Sequence, residues 1–502
     1  MMKKFHKFAA ILLLLPTLLL VLSACTGGKT GENDPEAGGN ADAPEAKAAA
    51  ITLPYYENDS KNPYFASSAL NRALASLICE PLYRVDASYA AHGVLADSLS
   101  ADGLTRTVTL KSATFSDGSA VTAADVVYSF EKAKASAWYG ARLAPIASAA
   151  ARGGSVVFTL SEAVPFAENL LTFPVVRRGS AEAAESYVTG SGAYVLTADG
   201  LSENLQKAGG ALSVALLHIK NPENLKNALE IGNIDYLFTD FSDGEYTRIV
   251  AKNTFVTMNH LVYLGINHTS GALQSAAVRT AIYYAADKDA AATAGYRGTA
   301  VACGLPFHPA FCAAQSLTSG VTAADSTRAD EILNRVGYNR YDKQGKRTNG
   351  QNTLQMTILV NNDNNFRLTA AYNLAENLNA VGFSVTVEGV AYEEYARRIA
   401  AGEFSLYLGE TKLPENLSLS AFFTGELSVG MQAELPVFAE YAAFCRGERT
   451  AAQFSESFLD DMPFVPICYR AGMAAYTGTV QPDFSTAAYD IYGDITLWKA
   501  AE

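Results

Sequence analysis

Serine nucleophiles need an elbow of the GxSxG kind, zinc hydrolases need HExxH, and phosphate or dinucleotide sites need glycine-rich turns such as GxxxxGK[ST] or GxGxxG. The nearest approach to any of these is Gly190-Ser191-Gly192, which has Val195 where a third glycine would stand, and Gly28-Lys29-Thr30 lacks its upstream glycine. His92, His218, His260, His268 and His308 are scattered, with no two at the i, i+3 or i+4 spacing that sets two metal ligands on one helix face. The carboxylate pairs Glu393-Glu394 and Asp460-Asp461 are adjacent, and adjacent side chains on a helix diverge. The chemistry expected is therefore binding without turnover. No catalytic residue, metal or cofactor is expected.

Cys25 is the one residue whose setting predicts covalent chemistry. Lys3, Lys4 and Lys7 precede the uncharged run Phe8 to Leu22, which is interrupted by Pro16 and is shorter than the ~20 residues of a spanning helix. The following Leu22-Ser23-Ala24-Cys25 resembles a bacterial lipobox, in which the thiol accepts diacylglycerol before cleavage. The alternative is a plain secretory signal. Residues 1–24 are read as the signal peptide and Cys25 as a lipidated N-terminus, held by acyl chains at about 0.8 kcal/mol per buried methylene. Residues 26–50 hold no aromatic, Val, Ile, Leu or Met, so 25–50 reads as a lipid-anchored flexible tether outside the cytoplasm.

The body is half hydrophobic (49%) and modestly charged (18%), and its 502 residues suggest about two to four domains at ~150 residues each. Loss of three signal-peptide lysines takes the net charge from -13 to -16, and such an acid excess argues against nucleic acid. Cys79, Cys303, Cys312, Cys445 and Cys468 remain. Cys303 and Cys312 could close a small disulfide loop or stay as two buried thiols.

Periodicity is clearest at residues 354–408. LQMTILV (354–360) reads as a strand and FRLTAAYNLAENLNAV (366–381) as an amphipathic helix stopped by Gly382. Phe383, Val385 and Val387 alternate as a strand; a helix over 391–401 ends at Gly402; Phe404, Leu406 and Leu408 alternate again. This β-α-β-α-β order implies parallel pairing, with ligands beyond the carboxyl ends of the strands. Upstream, Thr105 to Leu110, Val156 to Leu160 and Tyr194 to Leu196 read as strands. Thr122 caps a helix over 123–135, and residues 225–238 read as a helix, a Gly232 stop and a strand.

Six ordered segments carry a resemblance. They are Leu77 to Tyr83 (LICEPLY), LTRTVTLKSATFSDGSAVTAADVVYSFEKA (104–133), TGSGAYVL (189–196), ALEIGNIDYL (228–237), VRTAIYYAADKDA (278–290) and ADEILNRVGY (329–338). Together the body from about residue 51 resembles family 5 extracytoplasmic solute-binding proteins, the peptide/nickel-type receptors of ABC importers. The resemblance implies an α/β, two-lobe periplasmic-binding-protein fold of class II with an extra subdomain on lobe I. By analogy, the lobe I sheet takes 51–78, 187–265 and 470–502, the added subdomain 79–186, and lobe II 266–469. The implied role is capture of a peptide or peptide-like solute between the lobes and delivery to membrane permease subunits, by a monomer. Metal chelates, oligosaccharides or opine-like amines are the alternative ligands; a surface hydrolase or adhesin is the remote alternative.

Peptide-binding members of that family hold the peptide amine with a carboxylate in a segment resembling GD..DPDN. Its counterpart is GETKLPEN (409–416), which implies Glu410 as the amine acceptor. Strand topology points to the same position; the alternative is a strand-end glutamate that faces water or pairs with Lys412. Where some dipeptide binders place an arginine for the ligand carboxylate, this chain has about Asn361, so either Lys412 or Arg367 would serve. On lobe I, the first strand leads into Tyr55, Tyr56 and Asn58; the tyrosines could offer flat apolar faces to the ligand or pack beneath the cleft. Asn267, after the strand Val262 to Ile266, is expected to bond ligand backbone or the hinge.

Overall fold

The computed structural model describes residues 50–207, 212–242, 244, 248–315, 317, 320–488, 490–493 and 495–500. The signal peptide, Cys25 and the tether up to residue 49 lie outside the described residues. Among the described residues no helix is long and apolar enough to cross a membrane.

The segment with the clearest periodicity forms five elements in the expected order. Strand Gln355–Asn361, helix Asn365–Ala380, strand Ser384–Val390, helix Tyr392–Ala400 and strand Leu406–Lys412 follow one another. The first strand pairs in parallel with both others, Gln355 to Asn361 against Ser384 to Val390, and Ile358 and Leu359 against Leu406 and Tyr407. The first helix starts because the Asn364 side chain accepts the Phe366 and Arg367 amides. It stops at Gly382, whose φ of +92° a side chain would strain. Its inward stripe is Phe366, Ala370, Leu374 and Leu378, spaced at one helical turn.

These strands join a mixed sheet through two long ones. Lys252–Ile266 and Phe464–Tyr476 run antiparallel side by side, so the strand expected over Val262 to Ile266 in fact begins at Lys252. The sheet order is 236–239, 464–476, 252–266, 406–412, 355–361 and 384–390, with Ala300–Ala302 also on Phe464–Tyr476. Thr257 faces Ala471 and Leu261 faces Tyr469, leaving Met258, Asn259 and His260 opposite Arg470 alone. A bulge of this kind bends a strand and re-aims its side chains.

The buried apolar residues fall into two clusters. One gathers around the parallel strands, with Leu261, Ile358 and Leu406; the other gathers Ile51, Leu77, Val108, Phe130 and Phe158. In the second, Ala50–Tyr56 pairs in parallel with Ser213–Ile219. A separate antiparallel sheet, ordered 96–102, 105–110, 155–160 and 146–152, lies in the same cluster. Helix Ala123–Ala135 packs there through Val126, Phe130 and Ala133, and a full Thr122/Asp125 capping box starts it. Two cores of this kind are what a two-lobe protein requires.

The disulfide does not form: Cys79, Cys303, Cys312, Cys445 and Cys468 are all free thiols. Cys303 is buried with its amide bonded to the Ile467 carbonyl. Cys312 is exposed, opening a short turn anchored on Ser88.

Candidate functional site

A cavity of about 530 Å³ opens where the two clusters meet, lined among others by Tyr56, Arg72, Trp138, Arg142, His260 and Lys412. Local chemistry sets each side chain. Asp59 accepts the amides and hydroxyls of both Ser67 and Ser68; these bonds outweigh burial and hold its pKa at about 2. Ser68 in turn caps helix Ala69–Ala73, which carries Arg72. Asn71, on the same helix, clasps Tyr56 by both its amide and its carbonyl, at 2.8 and 2.9 Å. Trp138 sits in the turn after helix Ala123–Ala135. There Gly140 is required, because a Cβ would lie 2.7 Å from the Ser136 carbonyl oxygen.

Trp138 receives cations from two directions. The Arg72 guanidinium lies 3.7 Å from a Trp138 ring centroid and Lys412 Nζ lies 4.5 Å, while Arg142 covers Tyr139 at 4.5 Å. Lys412 has surface open to the cavity yet stands in a deep concavity of protein. Burial lowers its pKa, with Arg142 and Arg72 adding to the shift. Among the described residues no carboxylate lies within ion-pair distance of Lys412. A second cavity of about 320 Å³ adjoins the first, sharing Trp138, Arg142 and Lys412, and reaches Glu162, Glu415 and Glu426.

Glu410 is not open to a ligand. Arg470 donates to its Oε1 at 2.6 Å, Arg367 to its Oε2 at 3.1 Å, and His260 Nδ1 lies 3.5 Å from Oε1; the side chain is 7% exposed. Burial opposes its ionisation, but the His260 bond and the Arg470 and Arg367 charges outweigh it and hold the carboxyl well below the usual range. Arg470 also donates to the carbonyls of Asp240 and Phe241, so one guanidinium ties the crossing strand to both neighbourhoods. A carboxylate already between two guanidinium groups is a poor receptor for an ammonium.

Of the other expected contacts, Tyr56 and Lys412 line the cavity. Arg367 is spent on Glu410, and Asn361 closes its own turn by accepting the Asp363 amide. Asn267 lies at the far end of its strand. Its amide donates to the Gly402 and Phe404 carbonyls and its oxygen accepts from Thr269, which leaves little for a ligand. Tyr55 turns to His218 and Lys61, and Asn58 is exposed; neither borders the cavities. Sequence reasoning missed Arg72, Trp138, Arg142 and Arg470. Arg470 alone left a signal, as the only charge in the strand Phe464–Tyr476.

The sequence profile of the bacterial extracellular solute-binding proteins, family 5 Middle, matches residues 90–416. The chain belongs to this family. Solved structures agree on the two-lobe fold of this solute-binding protein. The unliganded open form of the periplasmic murein tripeptide binding protein MppA superposes with a TM-score of 0.72 at 16% identity, covering 90% of this chain and 96% of that one. A nickel ABC transporter protein from Bacillus halodurans gives 0.72 at 16%, covering 88% and 98%. The ABC transporter substrate-binding protein CtaP from Listeria monocytogenes gives 0.67 at 18%, covering 91% and 100%. Comparison with curated protein sequences finds no match.

The strand bearing Glu410 and Lys412 in this solute-binding protein is seated by a reciprocal glycine exchange. Gly265 pairs with Tyr407 and Gly409 with Tyr263, each ring lies over the opposing glycine, and the two hydroxyls meet at 3.2 Å. A Cβ on Gly409 would stand 2.5 Å from the Tyr263 ring. Gly409→Ala is thus expected to cost about 1–3 kcal/mol by overpacking. Thermal unfolding should show the loss, and Tyr263→Leu in the same chain should recover part of it.

Proposed function

We propose that this solute-binding protein captures a short peptide or peptide-like solute by its carboxylate and delivers it to an ABC permease, while Cys25 carries the lipid that anchors it outside the cytoplasm. In this reading 1–24 is removed, 25–50 is the tether, 79–186 is the added subdomain, and the lobes exchange partners near Met258 to His260 and Arg470. The observation that carries the ligand reading is the cavity charge: Arg72, Arg84, Arg142 and Lys412 face Asp240 and Asp490 there. Burial and the nearby Arg142 and Arg72 lower the pKa of Lys412 against the opposing pull of Glu415 and Asp240, and a carboxylate ligand would stabilise its ammonium. Trp138 and Tyr56 offer flat surfaces for side chains.

Closure follows from where these groups stand. Arg72 and Trp138 belong to one wall and Lys412 to the other, so a carboxylate touching both favours the closed form by differential contact. Bonds already cross between those walls: Arg142 to Glu415, Asn169 to the Glu415 carbonyl at 3.2 Å, and Asn416 to the Pro165 carbonyl at 2.8 Å.

Lys412→Met is expected to weaken binding of carboxylate-ended peptides at least tenfold, about 1.4 kcal/mol, and to leave C-amidated ones within twofold. Titration of the two series against both proteins measures this. Equal loss in both series would sink the carboxylate role. Mass spectrometry of the solute retained through native purification tests the ligand class directly, and a metal chelate or sugar would replace the peptide reading.

A further inference from the structure

We propose that residues 85–89 and 165–170 are two prongs that clasp the core around the parallel strands and hold the cavity walls together before any solute arrives. The clasp is independent of the solute, because the protein itself makes every contact in it.

Both segments leave the cluster in which they start. Leu82 and Tyr83 belong with Val108 and Phe130, yet Val85 and Tyr89 are buried in the cluster of Leu261 and Leu406. Val164, Ala167 and Leu170 stay with the former, while Phe166 between them packs against the latter. Tyr89 is 3% exposed and lies against His308, which lies against Tyr469, with ring centroids 4.6 and 4.8 Å apart. Phe166 meets Phe311 at 5.0 Å and Phe444 at 6.2 Å. Aromatic pairs at such spacings contribute beyond the area they bury.

Each prong holds strained backbone at its tip. Tyr89 and Phe166 have φ of +61° and +49°, a region that bulky residues keep only where their surroundings over-determine it. At Tyr89 the turn is fixed by Asp86, whose carboxylate accepts the Ser88 and Ala90 amides and the Ser88 hydroxyl.

Asn169 ties the prongs to each other and to the opposite wall. It is 1% exposed, and its side-chain amide donates to the Tyr89 carbonyl at 2.8 Å and to the Glu415 carbonyl at 3.2 Å. In the other direction Asn416 donates to the Pro165 carbonyl at 2.8 Å, and the Cys312 amide to the Ser88 carbonyl at 2.9 Å. Opening the walls bares both rings and breaks these bonds together, so solute entry waits on withdrawal of the prongs.

The test uses the mature full chain freed of bound solute, with solution scattering and hydrogen exchange read by mass spectrometry. The wild type should scatter as the closed form and protect the Cys312 amide. Tyr89→Ala joined to Phe166→Ala should enlarge the radius of gyration and speed exchange over 308–314 by about tenfold or more, while 355–361 keeps its protection. If that double variant does not fold, Asn169→Ala, which removes two hydrogen bonds and leaves both rings, carries the same comparison with a smaller shift. An open wild type, or variants whose scattering and exchange match the wild type, would overturn the clasp. Protection lost at 355–361 in step with 308–314 would make Tyr89 and Phe166 core residues only, and would overturn it as well. The peptide reading survives either result, since it is decided by titration and by the solute retained.

Discussion

Glu410→Gln is expected to destabilise the whole protein by about 3–5 kcal/mol and to weaken free and N-acetylated peptides alike. The carboxylate sits between Arg470 and Arg367, with His260 beside it, and is nearly inaccessible. An amide of the same shape removes the negative charge and leaves two guanidinium groups facing each other across a dry space. Arg470 is itself almost fully buried and holds the Asp240 and Phe241 carbonyls, so its displacement reaches the crossing strands. Arg367→Met should reduce the penalty of Glu410→Gln, because one of the stranded cations is then gone. Denaturant unfolding of the two single variants and the double variant measures the coupling. An unchanged unfolding midpoint, together with selective loss of free-amine peptides, would return Glu410 to the ligand.

What could be read from the sequence tracks how local the determining contacts are. The stretch 355–412 was legible because its periodicity switches between two and 3.6 residues, and because Gly382 and Gly402 mark its helix ends. The first half of Lys252–Ile266 was not, since its apolar and polar residues answer to partners more than two hundred positions away, Lys252 opposite Tyr476 among them. The same distinction divides the site. Lys412 follows directly from its strand end. Glu410 has the right address and the wrong neighbours: Arg367 and Arg470 reach it from 43 and 60 residues away. Trp138 and Arg142 occupy an ordinary turn after a helix, and only docking of that turn against 411–415 makes them part of a cavity. Motif resemblance therefore pointed to a segment that borders a cavity, while the charge pairing of Glu410 depends on tertiary contacts no motif carries.

Stability is expected to fall steeply between about pH 6 and 4, through two buried histidines held neutral. His268 lies beside Arg279, its Nε2 donates to the Pro463 carbonyl at 3.0 Å, and its Nδ1 accepts the Gln432 amide at 3.3 Å, a pair that fixes one neutral tautomer. Burial, and then the Arg279 charge, push its pKa down to about 4. His308 accepts the Ala310 amide at Nδ1 and lies against Tyr89 and Tyr469, with ring centroids 4.6 and 4.8 Å away; burial pushes it down to about 3. The unfolded chain takes up these protons near pH 6.5 and the folded one does not, so acid favours unfolding. Each imidazole contributes a slope of about 1.4 kcal/mol per pH unit between its two pKa values, about 2.7 together. Glu410, whose folded pKa lies below its unfolded value, stabilises above about pH 4.5 and adds to the loss only below that. His308→Phe and His268→Gln should each remove about half of the slope above pH 4.5, even if each lowers stability at pH 7. Denaturant midpoints at half-unit steps from pH 7 to 4 would read it, and a flat profile in the wild type would mean that both imidazoles reach solvent or a counter-charge when protonated. Because His308 packs between Tyr89 and Tyr469 inside the cluster that gathers around the parallel strands, its protonation should also loosen the aromatic packing of that core.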